Sequence, residues 1–311
     1  MRGTFLMRAV KRVAWCGVAL GLLLASPSRV QASTLTMING NSEVDICISG
    51  CPLEQAGIYN WSVDGTNYLF QEWFYYTVVG SGVPYSAGPG AVDSLSAPYN
   101  VSLSNPGVGP STASITYGTP TSPITAVLTY TLTGGGAGSN TSTLHESVTL
   151  TNNSPDNYVN INLFGYSDFD MCGLASHDDA SISNGVATQV GDPSNSNCGP
   201  VAIMSQVYAN TPPKHVEANV FPATLTNLLF FGNDLNDNPS VTNVDATTAF
   251  EWSPYAAAFG WENGNLYSTT DPISITKIIA PAVPEPASML LLGTGLIAIA
   301  QTARRRLAAR A

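Results

Sequence analysis

The sequence predicts an all-β protein, an antiparallel β-sandwich, on three observations. Several segments alternate apolar and polar residues with a period of two. The stretches between them are rich in Ser, Thr, Asn, Gly and Pro. Between the two termini no long amphipathic helix is visible, Ala223–Phe231 being the nearest to one. Short strands joined by turns suit this composition, and helices do not.

The clearest strand is Ile124–Leu132, which sets Ile124, Ala126, Leu128, Tyr130 and Leu132 on one face and mostly threonine on the other. Leu144–Thr151 repeats the pattern with Leu144, Val148 and Leu150, and Val159, Ile161 and Leu163 repeat it again. The glycine-rich run Gly134–Gly138 reads as a flexible hairpin loop. The three strands read as an antiparallel meander or part of a Greek key. Further candidates are Thr34–Asn39, Ile58–Val63, Tyr68–Val79, Val201–Tyr208, His215–Val220, Ala249–Trp252, Ala257–Trp261 and Ile273–Ile279. No fixed-period repeat suggests a solenoid or propeller.

Leu69–Tyr76 is apolar or aromatic at six of its eight positions, so a strand there needs cover on both faces. It reads as a central strand between two layers. The functional alternative is an aromatic platform on which Trp73 stacks against sugar rings.

Charge divides the chain into three parts. Arg2, Arg8, Lys11, Arg12 and Arg29 precede Ser33, and Arg304, Arg305, Arg306 and Arg310 follow Thr302. Only Lys214 and Lys277 lie between, whereas every one of the 21 acidic residues except Glu285 falls there. Such a domain is unsuited to nucleic acid, whose binders draw their affinity from lysine and arginine on phosphates. Anionic membranes and acidic polysaccharides would also repel it unless divalent cations bridged them. Cations, neutral glycans and other proteins fit better.

Residues 1–32 have the form of a secretory signal: a basic start, an apolar stretch from Val13 to Ala25, and Val30-Gln31-Ala32 placing small residues for cleavage between Ala32 and Ser33. Cys16 lies at the start of the apolar stretch behind bulky Trp15, so it leaves with the signal rather than carrying lipid. Residues 33–282 form the exported β-rich domain, about 250 residues and long enough for a sizeable core. At residues 283–311, Pro284-Glu285-Pro286 precedes an apolar helix and an Arg304-Arg305-Arg306 cluster. The prolines prevent the helix from extending upstream. Ala287–Ala303 would span roughly 26 Å as a helix, near the lower limit for crossing a bilayer. The arginines then anchor it on the cytoplasmic side.

This tail resembles the PEP-CTERM sorting signal, with all three parts in order over about the last 25 residues. The resemblance implies a Gram-negative, exopolysaccharide-making bacterium. Its exosortase, a membrane cysteine protease, would cleave at or near Pro284-Glu285-Pro286, after the general secretion machinery had delivered the chain. It also implies a transient stay in the inner membrane, then the cell surface or extracellular matrix. The motif is a substrate, not a catalyst, and the resemblance assigns no family to residues 33–282.

Outside the signal lie four cysteines, Cys47, Cys51, Cys172 and Cys198. In an oxidising envelope an even number argues for disulfides. Of the three pairings, 47–51 with 172–198 is favoured: Gly50 eases the small ring, and the second bond staples a long polar excursion. Zinc would need thiolates and fits that compartment poorly.

No catalytic constellation is visible. The three histidines, His145, His177 and His215, match no His-Glu-x-x-His helix, and there is no Gly-x-Ser-x-Gly elbow or phosphate-binding glycine loop. Glu72, Glu251 and Glu262 lie near tryptophans and are the first carboxylates to test for glycosidase chemistry. The densest polar cluster is Ser167-Asp168-Phe169-Asp170-Met171-Cys172-Gly173, followed by His177-Asp178-Asp179. Asp168 and Asp170 project from one face if extended and suit Ca²⁺; ordinary turn chemistry is the alternative. Neither this run nor Asn233–Asn238 completes an EF-hand loop. The expected function is non-enzymatic: an exported, exosortase-processed surface or matrix protein with a structural role in biofilm or exopolysaccharide. The alternative is a secreted carbohydrate-binding or carbohydrate-hydrolysing β-sandwich that uses calcium.

Overall fold

The computed structural model describes residues 33–51, 57–78, 84–86, 98–121, 124–152, 161–171, 175–191, 203–231, 233–252, 260–262, 265–267 and 272–282. The signal segment up to Ala32, the tail with Pro284, Glu285, Pro286 and the arginine cluster, and Cys172 and Cys198 lie outside them. No helix among the described residues is long and apolar enough to cross a membrane.

Among these residues the fold is all-β with a single helix, as the sequence predicts. The strands in chain order are β1 (Ser33–Asn39), β2 (Ser42–Ser49), β3 (Gly57–Val63), β4 (Thr66–Asn67), β5 (Gln71–Val78), β6 (Pro84–Ser86) and β7 (Asn100–Ser104). Then come β8 (Ser111–Tyr117), β9 (Ile124–Gly134), β10 (Ser142–Asn152), β11 (Ile161–Asp168), β12 (Asp178–Ser183), β13 (Val186–Gly191) and β14 (Ile203–Ala209). β15 (His215–Val220) leads into the helix α1 (Ala223–Phe230), followed by β16 (Ser240–Val244), β17 (Ala246–Trp252), β18 (Gly260–Glu262), β19 (Asn265–Tyr267) and β20 (Ile273–Pro281).

Two antiparallel sheets result. The first runs β1-β2-β3-β5-β11-β17-β15, with β4 on β3 and β6 on β5. The second runs β16-β12-β13-β14-β20-β10-β9-β8-β7, and β18 and β19 form a separate ribbon. Side chains meet across the gap between the sheets. The Trp61 indole N–H donates to Ser142 Oγ at 3.0 Å, and a Cβ on Gly165 would lie 3.1 Å from Ile275 Cδ1.

The two sheets differ in how they are covered. In β9, β10 and β20 of the second sheet burial alternates, with Leu128, Tyr130, Leu144, Val148, Ile275 and Ile279 inward. One face is packed and the other wet, so period-two patterning is legible. In the first sheet every residue of β17 is buried, and so are Gln71–Thr77 of β5 and all of β11 but Asn162. These strands need a second cover. Part of it comes from the segment after α1, where Leu235 is buried and its N–H meets Glu251 of β17, while α1 itself packs beside β15 and β6 and buries Leu225, Leu228 and Leu229 at helical spacing.

That difference corrects one expectation. β9 and β10 pair along their full length, but the third strand crosses to the other sheet, which removes the meander from the two expected arrangements, meander or part of a Greek key. Ile161–Asp168 is apolar on both faces and sits between β5 and β17, while the free edge of β10 is taken by β20. The Gly134–Gly138 loop is also pinned rather than free: Gly138 and Asn140 donate backbone N–H groups to the Asp64 carboxylate at 2.7 and 2.8 Å. Those bonds hold the exposed Asp64 carboxyl below its usual range.

One of the domain's two lysines lies inside the sandwich. Lys277 of β20 places its ammonium 2.6 Å from Glu72 Oε1 on β5 and 2.9 Å from Glu146 Oε2 on β10, and all three residues are at most 1 % exposed. One cation cannot balance two carboxylates in a dry interior. Burial, then the Glu72 charge, pushes the Glu146 carboxyl well above its ordinary 4.5, against the opposing pull of Lys277. Glu146 therefore holds a proton in the folded state and gives it up on unfolding. Because the folded chain binds the extra proton, stability falls as pH rises from about 4.5 towards that higher value, by up to about 1.4 kcal/mol per pH unit.

Denaturant titrations across pH 5–8 should show this fall, and Glu146→Gln should flatten the part of the slope that Glu146 contributes. Lys277→Met should cost about 3–5 kcal/mol by leaving buried carboxyls without their cation. The triple change Lys277→Met, Glu72→Leu, Glu146→Leu should recover most of that loss. An unchanged slope in Glu146→Gln would mean that this carboxyl titrates normally.

Candidate functional site

The predicted acidic run lies where β11 leaves the first sheet. Asp168 is the last residue of that strand, opposite Thr247 of β17 and Gln71 of β5, and its carbonyl accepts from Phe70 N at 3.0 Å. The next side chain, Phe169, turns into the core with its ring centroid 6.2 Å from that of Trp61. Asp170 is half-buried. The structure adds a third carboxylate that the sequence reading missed, Asp245, the single residue between β16 and β17. Asp168, Asp170 and Asp245 each contribute an oxygen lying within 4.8 Å of the other two.

Asp168 is 1 % exposed. Its Oδ2 accepts from Tyr166 Oη at 3.2 Å, and its Oδ1 has no hydrogen-bond partner. Beside the three stands Asp178, the first residue of β12, whose Oδ2 accepts from Met171 N and from Gln189 Nε2. Gln189 also donates to the carbonyls of Phe169 and Ala246, tying the second sheet to both segments that carry the acids. Asp178 Oδ1 and Gln189 Oε1 have no hydrogen-bond partner.

The crowding shows in the proton affinities. Burial, then the charges of Asp245 and Asp170, pushes the Asp168 carboxyl well up. Burial and Asp245 raise Asp170 to about 6. Burial raises Asp178 to about 8 against its hydrogen bonds from Gln189 and Met171, and burial raises Asp245. Such a cluster holds either protons or a hard cation. Asp179, at the twelfth position counted from Asp168, is exposed and accepts from Asn243 N at 2.8 Å.

The second polar run is used differently. His215, Asp234 and Glu251 bring ligand atoms within 4.8 Å of one another, but the neighbouring carboxylates serve the backbone. Leu235 N donates to Glu251 Oε2 at 2.9 Å, Asn236 N to Glu217 Oε2 at 3.0 Å, and Val216 N to Asp237 Oδ1 at 3.2 Å. His215 Nδ1 lies 2.9 Å from Asp237 Oδ2. The acids here stitch an irregular segment to β15 and β17.

Trp73 presents no face to a sugar. It is fully buried, edge-on to Tyr117 at 6.1 Å, and a Cβ on Gly57 would come within 2.1 Å of its ring. The strand is the covered central one that the sequence favours, and the alternative in which Trp73 stacks on sugar rings is set aside by its burial. Glu72 and Glu251 are both buried and belong to separate networks, while the Glu262 side chain lies outside the described residues. His145 is exposed beside Thr276. Of the expected disulfides, Cys47–Cys51 is formed, with Cα atoms 6.0 Å apart.

The fold and its acidic end define an all-β domain, and the C-terminal tail defines its handling. Residues 282–306 match the family model described as the PEP-CTERM protein-sorting motif, so the chain carries the tail of an exosortase-processed, exported protein. No curated protein matches the chain. Among solved structures, a bacterial glucoamylase complexed with acarbose is similar at 9 % identity and a TM-score of 0.49, over 85 % of this chain and 36 % of that one. A family GH92 inverting mannosidase from Bacteroides thetaiotaomicron is similar at 12 % identity and a TM-score of 0.26, over 58 % of this chain and 18 % of the other. This chain thus spans about a third of the glucoamylase and under a fifth of the mannosidase, and likenesses so distant say nothing about what it binds.

Trp73→Ala should cost about 3–5 kcal/mol in urea unfolding, as an emptied aromatic site in the core does. Gly57→Ala should destabilise the same place, because Gly57 has φ +82° as well as the close ring. A Trp73→Ala protein as stable as wild type would return this ring to the surface.

Proposed function

We propose that the mature protein is a non-enzymatic component of the cell surface or extracellular matrix. It would serve a structural or interaction role in biofilm or exopolysaccharide. The match of residues 282–306 to the sorting motif carries this reading. On it, residues 1–32 are removed between Ala32 and Ser33, and β1 begins at that boundary. The exosortase then acts at or near Pro284-Glu285-Pro286 while Arg304, Arg305 and Arg306 hold the tail on the cytoplasmic side. A bond between Cys172 and Cys198 belongs to the same proposal. The acidic surface and the burial of Trp73, Glu72 and Glu251 support a role in assembly over one in glycoside cleavage.

Fractionation of cells with and without exosortase tests it. A shortened form should appear outside the inner membrane only when the protease is present and Pro284-Glu285-Pro286 is intact. Loss of the protein should alter matrix mass or adhesion. Uncut full-length protein in the cytosol of exosortase-containing cells would overturn the reading. Release of reducing sugar from glycans by the purified chain would replace it with the carbohydrate-active one.

A further inference from the structure

We propose that Asp168, Asp170 and Asp245 hold a Ca²⁺ ion at the end of the sandwich, with Asp178 as a fourth carboxylate beside it. All the side-chain groups are oxygen donors, with no histidine or cysteine among them, so the set selects a hard cation over zinc or copper. Calcium–oxygen distances of about 2.3–2.6 Å put ligands up to about 5 Å apart across one ion, and the three oxygens lie within 4.8 Å of one another.

Three independent features point to a ligand rather than a chance patch of charge. Asp168 is nine-tenths buried, yet its Oδ1 has no hydrogen-bond partner, an expensive arrangement for a carboxylate unless something positive meets it. On the β12–β13 hairpin, Asp178 Oδ1 and Gln189 Oε1 are likewise buried without a hydrogen-bond partner. Gln189 fixes the carbonyls of Phe169 and Ala246 and the carboxylate of Asp178, so both acid-bearing segments are held from the second sheet before any ion arrives. Asp170 and Asp245 are only half-buried and leave a way in from solvent. Calcium, with its variable geometry, suits ligands from three separate segments better than magnesium, which demands an octahedron and keeps its waters.

The inference does not depend on the sorting tail, and the test can be read without it. The full chain, purified in detergent and stripped with EDTA, is titrated with CaCl2 and separately with MgCl2 by calorimetry and thermal melting. One saturable calcium site should appear, with Kd in the range of about 10⁻⁴–10⁻³ M expected of extracellular modules. At tenfold Kd, calcium should raise Tm by about 3–6 °C. Asp170→Asn and Asp245→Asn should each weaken calcium binding at least tenfold. In EDTA the same variants should melt no lower than wild type, since each removes a repelling charge; Asp179→Asn should leave calcium binding intact. Absence of saturable calcium binding in the wild type would overturn the proposal, whether or not the variants fold. So would equal stabilisation by magnesium, or undiminished binding in Asp170→Asn and Asp245→Asn.

Discussion

Strands β5, β11 and β17 are covered on both faces, and most other features of this domain follow from that constraint. A strand with no wet face cannot discard a polar side chain into solvent, so each one must be matched where it stands. Glu72 is matched by Lys277 from the opposite sheet and Glu251 by the backbone of Leu235; on the neighbouring strand β15, the buried Glu217 is matched by Thr224 at the start of α1 and by Asn236 N. The irregular chain after α1 is thereby folded down onto the first sheet through the carboxylates it covers.

The centre of the second sheet was legible, while its outer strands β7, β8, β12, β13 and β16 were not read from the sequence. Its central strands are long and show one face to water, so Ile124–Leu132, Leu144–Thr151 and Ile273–Ile279 announce themselves by alternation, whereas the shorter alternating strands β8 and β12, poor in large apolar residues, did not. The first sheet hid its topology. Ile161–Asp168 reads as a further strand, but nothing local says that it leaves β10 for the other layer; that depends on how many of its faces must be covered. The β12–β13 hairpin passed unnoticed although Asn184-Gly185 is a strong two-residue turn signal, and both residues have positive φ, 51° and 74°.

The acidic end was half visible for a similar reason. Asp168 and Asp170 are close in sequence and alternate, so their convergence can be read from the chain. Asp245 sits in Asn243-Val244-Asp245-Ala246, with no motif around it, and reaches the site only because β17 pairs with β11. The tail lies at the other extreme: a linear address, fully legible, because the machinery that reads it recognises a local string of residues.

The position of β20 couples these parts in time. It is the last strand among the described residues, yet it lies in the middle of the second sheet, hydrogen-bonded to β10 and β14. A chain synthesised from its N-terminus must leave a gap between those two strands until the final segment emerges. Glu72 and Glu146 wait for their counter-ion over the same interval, because Lys277 arrives with that segment. The two sheets therefore close only when the chain has been made almost to its sorting motif. A truncated product would expose an unzipped seam, open to quality-control proteolysis, in place of a finished surface.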